Sequence, residues 1–245
     1  MRTCLLAGVA SVVLGTSVAQ GDALLLLANA RTVQEDDTNA VKTATQEYST
    51  GFYVRTGIGA NLMTNVNAKT DSAAYTMDAG VEVNASFGYR FTKILGVELQ
   101  TGFTWNAFNS FKQGSKPGVD AGGQLYQIPI AANFVVTVPL SEGSYEPLFG
   151  RGAELLLLAG GGGQWAQADM QDVGSGTQNF TIDDWTWRFQ AGLGLNAHLA
   201  TNTKFGIFFM YSRTGDLSGT KSNNTDYTLA GLNNFAVGLN VSFRF

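Results

Sequence analysis

From residue 50 onward the chain alternates bulky apolar and small or polar positions with a period of two, the signature of half-buried strands. In the first stretch Phe52, Val54, Thr56, Ile58, Ala60 and Leu62 share one face, and Tyr53, Arg55, Gly57, Gly59 and Asn61 share the other. The second sets Ala79, Val81, Val83, Ala85, Phe87, Tyr89 and Phe91 against Gly80, Glu82, Asn84, Ser86, Gly88 and Arg90. The third sets Val97, Leu99, Thr101, Phe103 and Trp105 against Gly96, Glu98, Gln100, Gly102 and Thr104. The fourth sets Tyr126, Ile128, Ile130, Ala132, Phe134, Val136 and Val138 against Gln127, Pro129, Ala131, Asn133 and Thr137.

The fifth stretch, PLFGRGAELLLLAGGGG, is less regular. Arg151 and Glu154 fall on opposite faces, which predicts a bulge or register break. A buried helix over ELLLLA is the alternative, but it would be short. The sixth stretch sets Trp185, Trp187, Phe189, Ala191, Leu193, Leu195, Ala197 and Leu199 against Thr186, Arg188, Gln190, Gly192, Gly194, Asn196 and His198. The seventh sets Phe205, Ile207, Phe209 and Tyr211 against Lys204, Gly206, Phe208, Met210 and Ser212. The eighth sets Phe235, Val237, Leu239, Val241, Phe243 and Phe245 against Ala236, Gly238, Asn240, Ser242 and Arg244.

Between these eight stretches the connections alternate in length. Those near 92–95, 139–146 and 200–203 are short. Those near 64–77, 109–123, 162–183 and 213–230 are long, polar and rich in Gly, Asn, Asp, Ser and Thr. The pattern predicts an all-β, antiparallel up-and-down barrel whose two ends face different surroundings. A tilted membrane strand needs about 9–11 residues, and strands of about 12–14 residues would project beyond a bilayer on the long-loop side.

Alternation alone does not say which face is outside. An eight-stranded barrel has an interior just wide enough to be filled by side chains. The apolar face here is bulky and the other is mainly Gly, Ala, Ser, Asn and Gln, so the small polar face fits inside and the bulky one outside, against lipid. Aromatic residues gather near strand ends: Phe52 and Tyr53, Tyr89 and Phe91, Trp105, Tyr126, Trp185 and Trp187, Tyr211, and Phe243 and Phe245. Two interfacial girdles would be built this way, with Tyr89, Phe91, Trp105, Trp185, Trp187 and Tyr211 as members.

Composition agrees. Of the 245 residues only 14% are charged, with 30 Gly and 4 Pro, against about 25% charged in an ordinary soluble domain. The net charge of −4, without a basic run, argues against nucleic acid as a partner. The first residues have the form of a secretory signal. Arg2 supplies the positive charge, 5–15 (LLAGVASVVLG) the apolar core, and Ser17-Val18-Ala19 a small-x-small cleavage site. Cleavage after Ala30 is the alternative. The single cysteine, Cys4, lies inside this segment, so no disulfide is expected in the mature chain. Residues 20–48 read as a polar, flexible lead-in, and a luminal plug is the lesser alternative.

The stretches TGFYVRTGIGANL, QIPIAANF and LNVSFRF, together with the signal and the alternating loops, resemble the eight-stranded bacterial outer-membrane β-barrel family. That group includes the OmpA transmembrane domain and opacity-like surface proteins. The resemblance spans about 50–245. It implies an outer-membrane location with both termini in the periplasm, lipids as surroundings, a monomeric barrel and insertion by the barrel assembly machinery. In the family the last strand is read by that machinery. By resemblance the role falls to Leu239, Val241, Phe243 and Phe245.

The charges of the predicted strands lie on the luminal face: Arg55, Glu82, Arg90, Glu98, Arg188, Lys204 and Arg244. Buried charges must pair, which predicts an ion network filling the lumen. Arg90 and Glu98 flank the first short turn and are expected to face each other. Arg55 and Arg244 fall on strands that meet on closure. A narrow pore with a basic lining is the rival reading. The one histidine, His198, has Asn196 and Ala200 beside it and reads as a polar lumen residue rather than a catalytic one. Asp169 with Asp172, and Asp183 with Asp184, read as solvated loop acids rather than a metal site. LAGGGG lacks the Lys-Ser/Thr of a phosphate loop. The sequons at 179–181 and 223–225 are expected to be unused. No cofactor, metal or catalytic residue is expected. The reading is a non-enzymatic barrel giving membrane support or surface interaction, such as adhesion to a host or cell-surface ligand, through four long loops. Passive transport of small or apolar solutes is the alternative, and lipid modification a weaker third.

Overall fold

Every second side chain of a strand points the same way, so the sequence pattern becomes a wall with two chemically different faces. The computed structural model describes residues 50–70, 73–113, 118–140, 152–172, 179–200 and 202–245. The signal, its cleavage sites, the lead-in and Arg151 lie outside them. The strands are β1 (Gly51–Met63), β2 (Val66–Asn67), β3 (Ala73–Met77), β4 (Gly80–Arg90), β5 (Leu95–Gln113), β6 (Val119–Pro139), β7 (Ala153–Asp172), β8 (Phe180–His198), β9 (Thr203–Thr214), β10 (Leu217–Lys221), β11 (Asp226–Leu229) and β12 (Asn233–Arg244).

Eight of them form the barrel. The pairings run β1, β4, β5, β6, β7, β8, β9, β12 and back to β1, all antiparallel. A closed circuit leaves no unpaired edge, the condition for a sheet to cross lipid. The wall is uneven in height. β1, β4, β9 and β12 have 13, 11, 12 and 12 residues, whereas β5 to β8 have 19, 21, 20 and 19. The shorter four suffice to cross a bilayer, and the longer four continue well past it.

The faces fall as the alternation predicts. Along β4, Val81, Phe87 and Tyr89 are exposed, while Glu82, Asn84, Ser86 and Arg90 are buried. Leu99 at 57%, Ile58 at 58% and Ile207 at 54% exposure belong to a continuous outer apolar band. A bulky apolar exterior around a buried polar interior inverts a soluble fold and matches a lipid environment. The fifth stretch departs from expectation. β7 begins at Ala153 and runs without a bulge, paired residue for residue with β6 and β8. Glu154, Leu156 and Leu158 all face inward, and Arg151, the other half of the expected conflict, lies outside the described residues. Gly160 and Gly162 admit no side chain: a Cβ there would stand 2.1 and 2.0 Å from the carbonyl oxygens of Ala132 and Ile130.

Pro129, which lacks an N–H, sits inside β6. The β5–β6 pairing skips from Thr101↔Ile130 to Thr104↔Gln127 beside it, and the Thr101 hydroxyl donates to the Pro129 carbonyl at 2.9 Å.

The long connections are mostly not loops. β5 to β8 carry them upward, β3 pairs with β5, and β10 pairs with β8. β2 joins β3, β11 joins β10, and an Ala68↔Leu229 bridge links the β2 and β11 sides. The circuit therefore closes a second time at this hairpin end, with β2–β3 and β10–β11 standing where β4–β1–β12–β9 stood below.

Both faces exchange polarity between the two levels. Outward positions of β5 to β8 change from Phe103, Trp105, Tyr126, Trp165 and Trp185 to Asn109, Gln124, Gln167, Asp169, Asp183 and Thr181. Inward positions change from Thr104, Asn106, Gln127, Gln164 and Arg188 to Phe108, Phe111, Leu125, Ala166, Ala168, Met170, Ile182 and Phe180. The β5 register shifts beside Asn109 against β3 and again against β6, so that Phe108 and Phe111 both point inward despite odd spacing.

Candidate functional site

The lumen is the first candidate, because its side chains are polar, buried and mutually bonded. At the short-turn end Glu154 from β7 accepts from the Lys204 ammonium of β9 at 2.6 Å. The Arg90 guanidinium of β4 stands 3.8 Å and the His198 imidazole of β8 3.7 Å from the same carboxylate. Arg90 also donates to the Thr137 hydroxyl at 3.1 Å, and the Asn196 amide to Glu154 at 3.3 Å.

One level higher, Arg55 donates to Glu98 at 2.6 Å and the Tyr53 hydroxyl donates to the other Glu98 oxygen at 3.1 Å. Beside them Gln190 donates to Gln100 at 2.6 Å and to Asn133 at 2.8 Å, and Asn133 donates to Gln100 at 2.9 Å. A void of about 20 Å³, lined in part by Arg55, Asn84, Gln100, Phe208 and Asn240, lies among them. It is the size of about one water.

The third level spans the whole width. Arg188 donates to Gln164 at 2.7 Å and to Gln190 at 3.0 Å, and Gln164 donates to Gln127 at 2.7 Å. Gln127 and Asn234 exchange bonds at 3.4 and 3.2 Å, and Asn61 donates to Asn106 at 2.7 Å. Glu82 accepts from Asn84 at 3.3 Å, and the Arg188 charge acts on it from the opposite wall. Above this level the apolar core closes the interior, with Tyr75, Phe108, Phe111, Phe180 and Tyr227 in mutual ring contact and Tyr75 and Tyr227 joined hydroxyl to hydroxyl at 2.5 Å.

The hairpin end is the second candidate. Its two hairpins clasp each other: the Lys69 N–H donates to the Thr228 carbonyl at 2.9 Å and the Ala230 N–H to the Asn67 carbonyl at 2.7 Å. The Lys69 ammonium pairs with Asp216 on the surface. Asp183 accepts from the Trp165 indole at 2.7 Å, and Asp184 accepts from the backbone of Ser218 and Trp185, both at 2.8 Å. These carboxylates are engaged in holding strands together. Among the described residues no three His, Cys, Asp or Glu side chains gather as metal ligands. The Asp172 side chain lies outside the described residues.

All seven charges expected on the luminal face are placed inward: Arg55, Glu82, Arg90, Glu98, Arg188 and Lys204 are buried, and Arg244 is half-buried at the rim. The expected facing of Arg90 and Glu98 is not found. In the ladder Arg90 stands opposite Gly96, and Glu98 opposite Gly88. Glu98 is taken by Arg55, and Arg90 turns to Glu154. Arg244 is paired in the ladder with Tyr53, and Arg55 with Ser242, so the two arginines do lie on adjoining strands.

Tyr53 is buried and belongs to the lumen, not to an aromatic girdle, as its place in the alternation required. The outward aromatics form two rows. Phe52, Tyr89, Phe91, Phe243 and Phe245 lie at the short-turn end, and Trp105, Tyr126, Trp165, Trp185, Trp187 and Tyr211 toward the hairpin end. Glu154 was absent from the expected network, although its inward parity with Leu156 and Leu158 could have revealed it. The apolar core was missed as well, although Ala166, Ala168 and Met170 alternate with Gln167, Asp169 and Gln171.

Comparison with known proteins agrees with this architecture. The outer membrane protein beta-barrel domain family matches residues 25–245. No curated protein sequence shows a significant match. Among solved structures, the outer membrane protein OprG from Pseudomonas aeruginosa is similar over 82% of this chain and 99% of its own, at 16% identity and a TM-score of 0.52. Neisserial surface protein A (NspA) is similar over 80% and 97%, at 15% identity and 0.48. Ail, the attachment invasion locus protein of Yersinia pestis, is similar over 79% and 99%, at 16% identity and 0.38.

Proposed function

Because the chain belongs to the outer membrane protein β-barrel family and so to the bacterial outer membrane, we propose that it is a non-enzymatic anchor displaying a folded platform at the cell surface. In this reading the hairpin end faces outward and both termini lie in the periplasm. The role is surface interaction with a host or cell-surface ligand, together with support of the membrane. The barrel acts as a monomer after insertion by the assembly machinery, with Leu239, Val241, Phe243 and Phe245 as the inserted strand's signal and the two aromatic rows as interfacial girdles.

The second ring carries this reading. A protein that only spanned the membrane would need strands of about 9–11 residues. Here β5 to β8 continue upward into a ring with its own apolar core, including Ile182, Leu217 and Leu229 at 0% exposure. Such a core fixes the outer surface in one shape, as recognition requires. The same core and the three bonded levels beneath it weigh against the pore reading, because hydrogen-bonded side chains and packed rings occupy the path.

The test is cell binding by bacteria that express the protein, compared with a variant in which 222–225 are replaced by Gly-Ser and with cells lacking the protein. Binding that depends on the protein and falls in the variant, with heat-modifiable gel migration retained, is the expected result. Binding no different from that of cells lacking it, with steady single-channel conductance in planar bilayers, would favour passive transport instead.

A further inference from the structure

Among the described residues the luminal charges do not balance, and the imbalance is localised. Arg55 is matched by Glu98, and Arg188 and Glu82 supply one charge of each sign from opposite walls of the third level. At the short-turn end the described residues place one carboxylate, Glu154, against Lys204 and Arg90, with Arg244 at the rim two residues from Ser242, the ladder partner of Lys204. Lys204 takes the short contact with Glu154 at 2.6 Å, and Arg90 is left at 3.8 Å.

Arg90 is buried, with its side chain 9% exposed. Its Nη2 donates to Thr137, and its Nη1 has no hydrogen-bond partner among the described residues. A guanidinium offers five donors in a planar fork suited to oxyanions. A buried donor left unmade is costly, and a buried uncompensated charge more so. Excess positive charge among the described side chains, an idle guanidinium donor and a rim arginine together describe a receptor for a small anion.

We propose that the short-turn mouth of the lumen binds a phosphate-class oxyanion, held by Arg90 Nη1 and by the charges of Lys204 and Arg244, with Glu154 limiting the net charge. The oxyanion completes the ion network at the level where side chains alone leave it unbalanced. Its source is either a free ion or the headgroup of a lipid, since both present the same oxygens.

The experiment uses the full mature barrel in detergent micelles, with folding checked by heat-modifiable migration, and measures retention of radiolabelled inorganic phosphate by equilibrium dialysis. Wild type is expected to retain phosphate, and Arg90→Gln and Arg244→Gln to weaken retention by about tenfold or more. Glu154→Gln is expected to tighten it, because the competing negative charge is gone. That opposite sign separates a binding site from a merely structural cluster. Arg244→Gln, a change at a half-buried rim position, keeps the test decisive if Arg90→Gln fails to fold. Displacement of phosphate by phosphatidic acid in the micelle assigns the oxyanion to a lipid headgroup, and insensitivity to it assigns a free ion; both uphold the site. No retention by wild type, or equal retention by wild type and Arg244→Gln, overturns it.

Discussion

Arg55 reaches past β4 to place its guanidinium 2.6 Å from the Glu98 carboxylate of β5, and both side chains are buried. The pair ties together two strands that share no backbone ladder. Removing one partner leaves the other charged, buried and unpaired, a loss of about 3–5 kcal/mol. Glu98→Gln and Arg55→Gln should each lower the urea midpoint of the micelle-embedded barrel. Their combination should cost less than the two losses added. Strict additivity in unfolding titrations would show that the pair is not coupled.

Tyr53 lies over Gly88, its ladder partner, and a Cβ at Gly88 would stand 2.2 Å from the Tyr53 ring. The clash is with a ring whose hydroxyl is held by Glu98 at 3.1 Å, so it cannot swing away freely. Gly88→Ala should destabilise by about 1–3 kcal/mol, the range for overpacking. Adding Tyr53→Leu should recover part of that loss. A Gly88→Ala barrel as stable as wild type in denaturant would contradict the placement of the ring.

The apolar core of the upper ring should unfold separately from the membrane barrel. Leu229→Ala and Leu125→Ala remove buried methyl groups there and should cost about 2–5 kcal/mol each. Their effect should appear as faster proteolysis within 64–79 and 215–232, with heat-modifiable migration unchanged. Loss of the folded band itself would mean that the two rings form one cooperative unit.

Leu99 sits on the outer wall of β5 between the two aromatic rows and is 57% exposed. Leu99→Lys should cost about 2–4 kcal/mol in a bilayer, the range for a cation at the membrane midplane. The same change at Gln167, an outward position of β7 two residues past Trp165 toward the hairpin end, should cost within about 0.5 kcal/mol. Reversible unfolding from lipid vesicles measures both.

Phe245 is 80% exposed, and its described bond is a backbone one, to the Phe52 carbonyl at 3.1 Å. Deleting it should hardly change refolding into micelles. If the terminal strand is read during insertion, the same deletion should sharply reduce the amount of barrel in outer-membrane fractions of living cells. Equal membrane levels would remove the assembly role from Phe245.

The strand period, the face assignment and the choice of the bulky face as exterior were legible in the residues. Alternation is a local consequence of strand geometry, and a small interior demands small inward residues such as Gly57, Gly88, Gly102 and Gly206. The inward position of the seven charges expected there followed from the same parity. Two things were obscured. The start of β7 was masked by a sequence in which Arg151 and Glu154 conflict in parity. The upper ring was masked because its pattern runs in the opposite sense, with Ala166, Ala168, Met170, Phe180 and Ile182 inward and polar residues outward, and glycine, asparagine and aspartate beside them suggested loops.

The sequence by itself thus determined a lipid-facing wall around a polar lumen, because each residue's side of a strand depends only on its immediate neighbours. The tertiary structure decided which charges meet: Arg55 with Glu98, and Arg90 and Lys204 with Glu154. It also decided that β2–β3 and β10–β11 close a second ring through Ala68 and Leu229. Those contacts join residues on non-adjacent strands, and their partners depend on ring order, strand stagger and side-chain reach, none of which a local period contains.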